Sequence, residues 1–123
     1  MKPATGTSGT FHETLKHKMD AYAHLVYFLT KSFPRDELYG VTSQLRRAAL
    51  SVALNYIEGY GRARDAVHKS FLEISYGSLK ESKYLLRFSL VEGYLSKVDH
   101  DKAMELAEDI GAMLWGTIRG LEK

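Results

Sequence analysis

The chain contains no cysteine, which removes disulfides, thiolate catalysis and cysteine-based zinc sites together and suits a reducing compartment. It also has no run of about 18 apolar residues, because Lys, Arg, Glu or His interrupts every hydrophobic stretch, so no membrane-spanning helix is predicted. Met1 to Thr10 lacks the apolar core of a secretory signal, and a cytoplasmic location is expected. No repeat or low-complexity region is present. A phosphate-cradling P-loop or G-x-G-x-x-G loop is missing too, since Gly59-Tyr60-Gly61 follows a helical pattern instead of a strand. His12, His17, His24, His68 and His100 include no pair three or four apart and no Glu-x-x-His, which excludes the di-iron bundle signature. The serines between positions 75 and 89 have no neighbouring histidine to activate them, and their spacing suits packing. No metal, cofactor or catalytic apparatus is therefore expected, and the chain reads as a non-enzyme.

What is present suits one folded domain. The chain has 123 residues, 45% of them hydrophobic and 26% charged, enough to bury a core but too few for two. The formal charge of +2 and pI of about 8.8 lean only weakly toward polyanions, so any nucleic-acid role depends on where the charges cluster.

Four segments carry helical periodicity. In the first, Thr10-Phe11-His12-Glu13 has the form of a capping box, and Leu15, Met19, Tyr22, Val26, Leu29 and Phe33 follow at steps of four and three before Pro34 ends the helix. The second carries Leu38, Val41, Leu45, Ala48, Val52, Asn55 and Gly59. Gly40 makes it irregular before Thr42, and Gly59-Tyr60-Gly61 supplies a left-handed cap. The third runs from Asp65, a fair N-cap, to Gly93. It has two seams, one of Phe71, Ser75, Ser78, Ser82, Leu85 and Ser89 and one of Leu72, Leu79 and Leu86. Ser96-x-x-Asp99 opens the fourth, with Met104, Ala107, Gly111, Leu114, Ile118 and Leu121 as its stripe. Short turns between amphipathic helices predict an all-α, antiparallel up-and-down four-helix bundle over residues 11–123, behind a flexible tail over 1–10. The second seam of the third helix, Leu72, Leu79 and Leu86, is expected at an interface between copies.

Asn55 falls on an apolar seam, where its amide must find partners. With Glu58 and Gly59 it reads either as a structural network or as a set that positions a partner. Basic residues cluster in two places: Arg46 and Arg47 on the second helix, then Arg62, Arg64 and Lys69 around the start of the third, with Lys80, Lys83 and Arg87 following. Such groups can track a phosphate backbone without reading bases, although Asp65, Glu73 and Glu81 close by also suit a solvated face. Tyr60, Tyr76 and Tyr84 offer surface for stacking or for packing.

The stretch Glu37-Leu38-Tyr39-Gly40-Val41-Thr42-Ser43-Gln44-Leu45-Arg46-Arg47-Ala48-Ala49, the run Asn55-Tyr56-Ile57-Glu58-Gly59-Tyr60-Gly61-Arg62, and Gly77-Ser78-Leu79-Lys80-Glu81 resemble ordered motifs of one family. This is the four-helix bundle family of ribosomal-RNA intervening sequences, also labelled S23 ribosomal protein, and the resemblance spans about Leu15 to Leu121. It implies a homopentameric ring. A related branch, the accessory variability determinant of diversity-generating retroelements, implies RNA or single-stranded DNA and a reverse transcriptase as partners. The chain departs from the ribosomal-intron pattern at Ala53-Leu54, where a proline is usual, so a straight second helix is expected. The expectation is a homo-oligomeric nucleic-acid-binding scaffold, or alternatively a protein–protein interaction scaffold.

Overall fold

A computed structural model describes residues 7–122, all of whose regular structure is helical. Helix α1 spans Thr7–Thr30, α2 Ser43–Tyr60, α3 Asp65–Val91 and α4 Lys97–Gly120. A single 3₁₀ turn, Arg35–Glu37, and a wide π turn, Leu38–Thr42, connect α1 to α2. The pairing of residues fixes the topology. His12 meets Tyr56 while Thr30 meets Arg46, Ser51 meets Ser78 while Gly59 abuts His68 and Phe71, and Lys83 meets Glu108 while Tyr76 meets Trp115. Numbers rise along one helix as they fall along the next in each case, so the chain runs up and down around a square in which α1 and α3 each pack on α2 and α4.

The helix ends refine the sequence reading. Residues 1–6 of the expected tail lie outside the described residues, whereas 7–10 are already helical, so Thr10 sits inside α1 and does not cap it. His12 holds this first part of the helix to Tyr56, at 2.6 Å. At the other end, α1 stops at Thr30. The Thr30 hydroxyl donates to the Val26 carbonyl at 2.8 Å, and a tighter turn then carries buried Phe33 back to the core. Arg64, extended at ψ 131°, takes the N-cap position expected of Asp65, and Asp65 lies in the first turn of α3, where its carboxylate faces the positive end of the helix dipole. Gly61 has a right-handed conformation (φ −83°) in place of the expected left-handed cap. Gly93 does adopt positive φ, 83°, and Ser96 accepts from the Asp99 N–H at 3.1 Å as its spacing predicts. Helix α2 runs without interruption through Ala53-Leu54.

The core explains both seams of α3 within one chain. Leu72, Leu79 and Leu86 are 0%, 1% and 1% exposed, so they cannot be the interface between copies expected of them. Ser75, Ser82 and Ser89 are equally buried. A helix packed against neighbours on two sides, as α3 is against α2 and α4, buries two stripes. Each buried hydroxyl has a partner: Ser75 donates to the Val52 carbonyl at 2.7 Å, Ser82 bonds the Tyr22 hydroxyl at 2.7 Å, and Ser89 donates to Leu85 O at 2.8 Å. Small side chains let α3 approach α2, and the hydrogen bonds remove the cost of burying them. In α4, Ala103 and Ile110 join the core beside Ala107, Leu114 and Ile118, shifting the stripe slightly from the one read at Met104 and Gly111.

Two helical glycines separate packing from propensity. A Cβ at Gly59 would stand 3.1 Å from both His68 Cδ2 and Phe71 Cβ and 3.3 Å from a backbone oxygen, whereas one at Gly77 would meet nothing within 4 Å. Gly59→Val is expected to lower stability by about 1–3 kcal/mol through overpacking, and Gly77→Ala to raise it by up to about 1 kcal/mol. Urea denaturation midpoints check both.

Candidate nucleic-acid interface

The eight basic residues singled out in the sequence do not share one surface, and their charges are unequally available. Arg62 is ion-paired with Glu58 and lies over the Phe71 ring at 4.9 Å. Lys69 reaches Glu122 at 3.2 Å and Glu73 at 3.8 Å, and Lys83 reaches Glu108 at 3.1 Å. These four pairs are surface pairs, individually weak, yet each carries a carboxylate into the expected phosphate track. Arg46, Arg47, Arg64, Lys80 and Arg87 have no acidic partner among the described residues. Lys83 turns toward α4, and Lys80 stands over Tyr76 at 6.0 Å beside Trp115. Arg46 and Arg47 face the α1–α2 side, opposite in the square. Within the stripe read on α3, Lys83 is thus committed to an acid of α4, while Lys80 and Arg87 keep no acidic partner among the described residues.

Arg46 is held by two groups of α1. Its Nε donates to the Thr30 hydroxyl at 2.8 Å, and its guanidinium lies 4.7 Å above the Tyr27 ring. Arg47 is looser, donating to Ser43 Oγ at 3.4 Å. Tyr27, Leu38, Tyr39 and Leu50 line one groove with these two arginines, about 420 Å³ in volume. Sequence reasoning misses Tyr27 and Tyr39. Tyr39 falls between Leu38 and Val41, both read as seam positions, and that off-seam placement is the available signal for an outward ring, although Leu38 itself is 48% exposed because it lies in the π turn, outside the regular stripe of α2.

Asn55 is half-buried and bonds within its own helix, donating to Ser51 O at 2.9 Å and Ser51 Oγ at 2.8 Å. Ser51 Oγ meets Ser78 Oγ at 2.8 Å, so the amide reaches α3 only through that serine. Glu58 pairs with Arg62, and Gly59 is the point of closest approach between α2 and α3. A second groove, of about 550 Å³, lies between α1 and α2 beside Tyr56 and Ile57, but Glu13, Lys16 and Asp20 line it with mixed charge. Among the described residues no three of His, Asp and Glu gather as metal ligands, and no helix is long and apolar enough to cross a membrane.

The motifs on α2 and α3 and this topology agree with an outside comparison: residues 14–116 match the sequence model of the 23S rRNA-intervening sequence protein family. The chain belongs to this family. Its fold is also that of a crystal structure at 1.70 Å of a protein of unknown function from the S23 ribosomal protein family of Bacteroides thetaiotaomicron VPI-5482. The TM-score is 0.81 at 17% identity, over 89% of this chain and 98% of that one. No curated protein matches the chain.

A cluster at the other end of α2 brings two histidines and two tyrosines together. His12 lies between Tyr56, at 2.6 Å, and the Tyr60 ring, at 3.9 Å between centroids, and Tyr60 meets the His68 ring on its other side at 4.7 Å. Burial, then the Lys16 charge, with a smaller push from His68, lowers His12 below the ordinary 6.5, against Glu13. Burial pushes the Tyr56 phenol up and keeps it protonated. With the folded value of His12 below the unfolded one, the unfolded chain binds the proton more tightly. The His12 contribution to stability is therefore complete well above pH 6.5 and is lost as the pH falls below it. His12→Phe is expected to shrink the difference in urea midpoint between about pH 7.5 and about pH 5.5.

Proposed function

We propose that this protein is a non-enzymatic, self-associating scaffold of the cytoplasm that binds single-stranded RNA or DNA through its arginines. The observation that carries the reading is that Arg46 and Arg47 lie together on one groove with no acidic partner among the described residues, and Arg46 is oriented in advance by Tyr27 and Thr30. An ordered guanidinium loses little freedom on meeting a phosphate. Arg64 and Arg87 add exposed cations elsewhere on the molecule.

Self-association is supported by a different face from the one read in the sequence. Leu54 and Ile57 are 61% and 56% exposed on α2, one turn apart, and a second copy would cover them. A closed ring, of five copies as the family resemblance implies, leaves no propagating contact and repeats each small basic cluster, so a protomer of charge +2 gains avidity. A reverse transcriptase as protein partner is the narrower form of the same proposal.

Binding of single-stranded RNA measured across salt concentrations tests this. Replacing Arg46, Arg47, Arg64 and Arg87 by alanine is expected to weaken unrelated sequences equally and to reduce the salt slope by about 0.7 for each phosphate that is no longer neutralised. Replacing Arg62, Lys69 and Lys83, which already carry acidic partners, is expected to do less. If the parent binds neither RNA nor single-stranded DNA at ~50 mM salt, the protein–protein scaffold replaces this reading. For assembly, Leu54→Glu with Ile57→Glu is expected to lower the sedimenting mass, and a 13.9 kDa particle from the parent at micromolar concentration rejects self-association.

A further inference from the structure

The connector between α1 and α2 is built to hold one aromatic ring in water. Pro34 opens it in an extended conformation, with φ −57° and ψ 142°. The Glu37 carboxylate then accepts from the Val41 N–H at 3.0 Å and from the Tyr94 hydroxyl at 3.1 Å, tying the turn to the segment that follows α3. Gly40 leaves room for that carboxylate, since a Cβ there would stand 2.5 Å from Glu37 Oε1. Buried Phe33, with its ring 5.7 Å from that of Tyr94, fixes the start of the same turn. From this pinned segment Tyr39 projects 92% exposed. So open a ring adds nothing to the core.

Across the groove, α1 presents Tyr27 with the Arg46 guanidinium on its face, and α2 presents Arg47 and Leu50. The charged groups lining the groove are both positive. We infer that this groove is a nucleotide subsite for single-stranded nucleic acid, in which a base stacks on Tyr39 and the flanking phosphates lie against Arg46 and Arg47. The inference rests on the nucleic-acid reading above and adds to it a location and a preference for unpaired bases. Stacking needs a free base face, which a duplex does not offer, and tolerates any base because each has a π face. A second copy docked by this same surface would bring four arginines together, whereas a polyanion neutralises them. An acidic peptide would satisfy the arginines but leave Tyr39 without a flat partner.

The test is fluorescence anisotropy with a labelled oligothymidylate of about twelve nucleotides and an abasic strand of equal charge, using the full chain, Tyr39→Ala and Arg47→Ala. Both residues are exposed, and circular dichroism checks that the variants fold. Tyr39→Ala is expected to weaken the oligothymidylate about tenfold and to leave the abasic strand unchanged, while Arg47→Ala weakens both. If the parent binds and Tyr39→Ala changes nothing, the subsite is wrong and the wider nucleic-acid reading survives. If the parent binds neither strand nor RNA at ~50 mM salt, both fall. A lower sedimenting mass for either variant would make the groove a contact between copies, and an oligoglutamate peptide bound with the same dependence on Tyr39 would make it a peptide site. Either result overturns the inference.

Discussion

The close approach of α2 to α3 is the constraint on which the other contacts depend. Gly59 admits His68 and Phe71 where any side chain would push the helices apart, and Ser75 enters far enough to donate to the Val52 carbonyl of α2. With α3 drawn in, Ser82 can meet Tyr22 of α1 across the centre of the bundle. The register is thus pinned by hydrogen bonds of fixed partners in a core otherwise made of non-directional apolar contacts. Leucine at positions 75 and 82 would supply more buried area but would space the helices more widely and leave the Tyr22 hydroxyl without its partner.

That arrangement also determines what remains outside. Because α3 buries Leu72, Leu79 and Leu86 inside the chain, a partner must use other apolar residues, of which Leu54 and Ile57 lie one turn apart on α2. The same geometry divides the basic residues: Lys83 of α3 turns to Glu108 of α4, and those at the start of α2 face α1, where Thr30 and Tyr27 receive Arg46. Charge availability here follows from packing more than from composition.

The two ends of α2 differ in character. At its C-terminal end, His12, Tyr56, Tyr60 and His68 form a stack that couples three helices to proton binding. At its N-terminal end a pinned connector holds Tyr39 in solvent beside two arginines. One end is organised around a stack closed over the buried Tyr56 ring and the other around groups offered to water.

The sequence by itself determined the number of helices, the core stripe of α1, the buried Leu45, Ala48 and Val52 of α2, the Ser96 cap, the irregular entry to α2 and the family. The family came from the resemblance of ordered motifs; the rest follow from local periodicity and turn chemistry, which need no knowledge of neighbours. Only the tertiary structure decided that Leu72, Leu79 and Leu86 point inward, that Asn55 bonds its own helix, that Gly59 serves packing in place of a left-handed cap, and which cations have acidic partners. A seam's period says that a face is buried without saying by what, and an ion pair between α3 and α4 joins residues 25 positions apart, as Lys83 and Glu108 are. Tyr39 shows the same limit: its outward place could be read from the spacing, but its neighbours Tyr27 and Arg46 come from other helices, and only folding brings them to one groove.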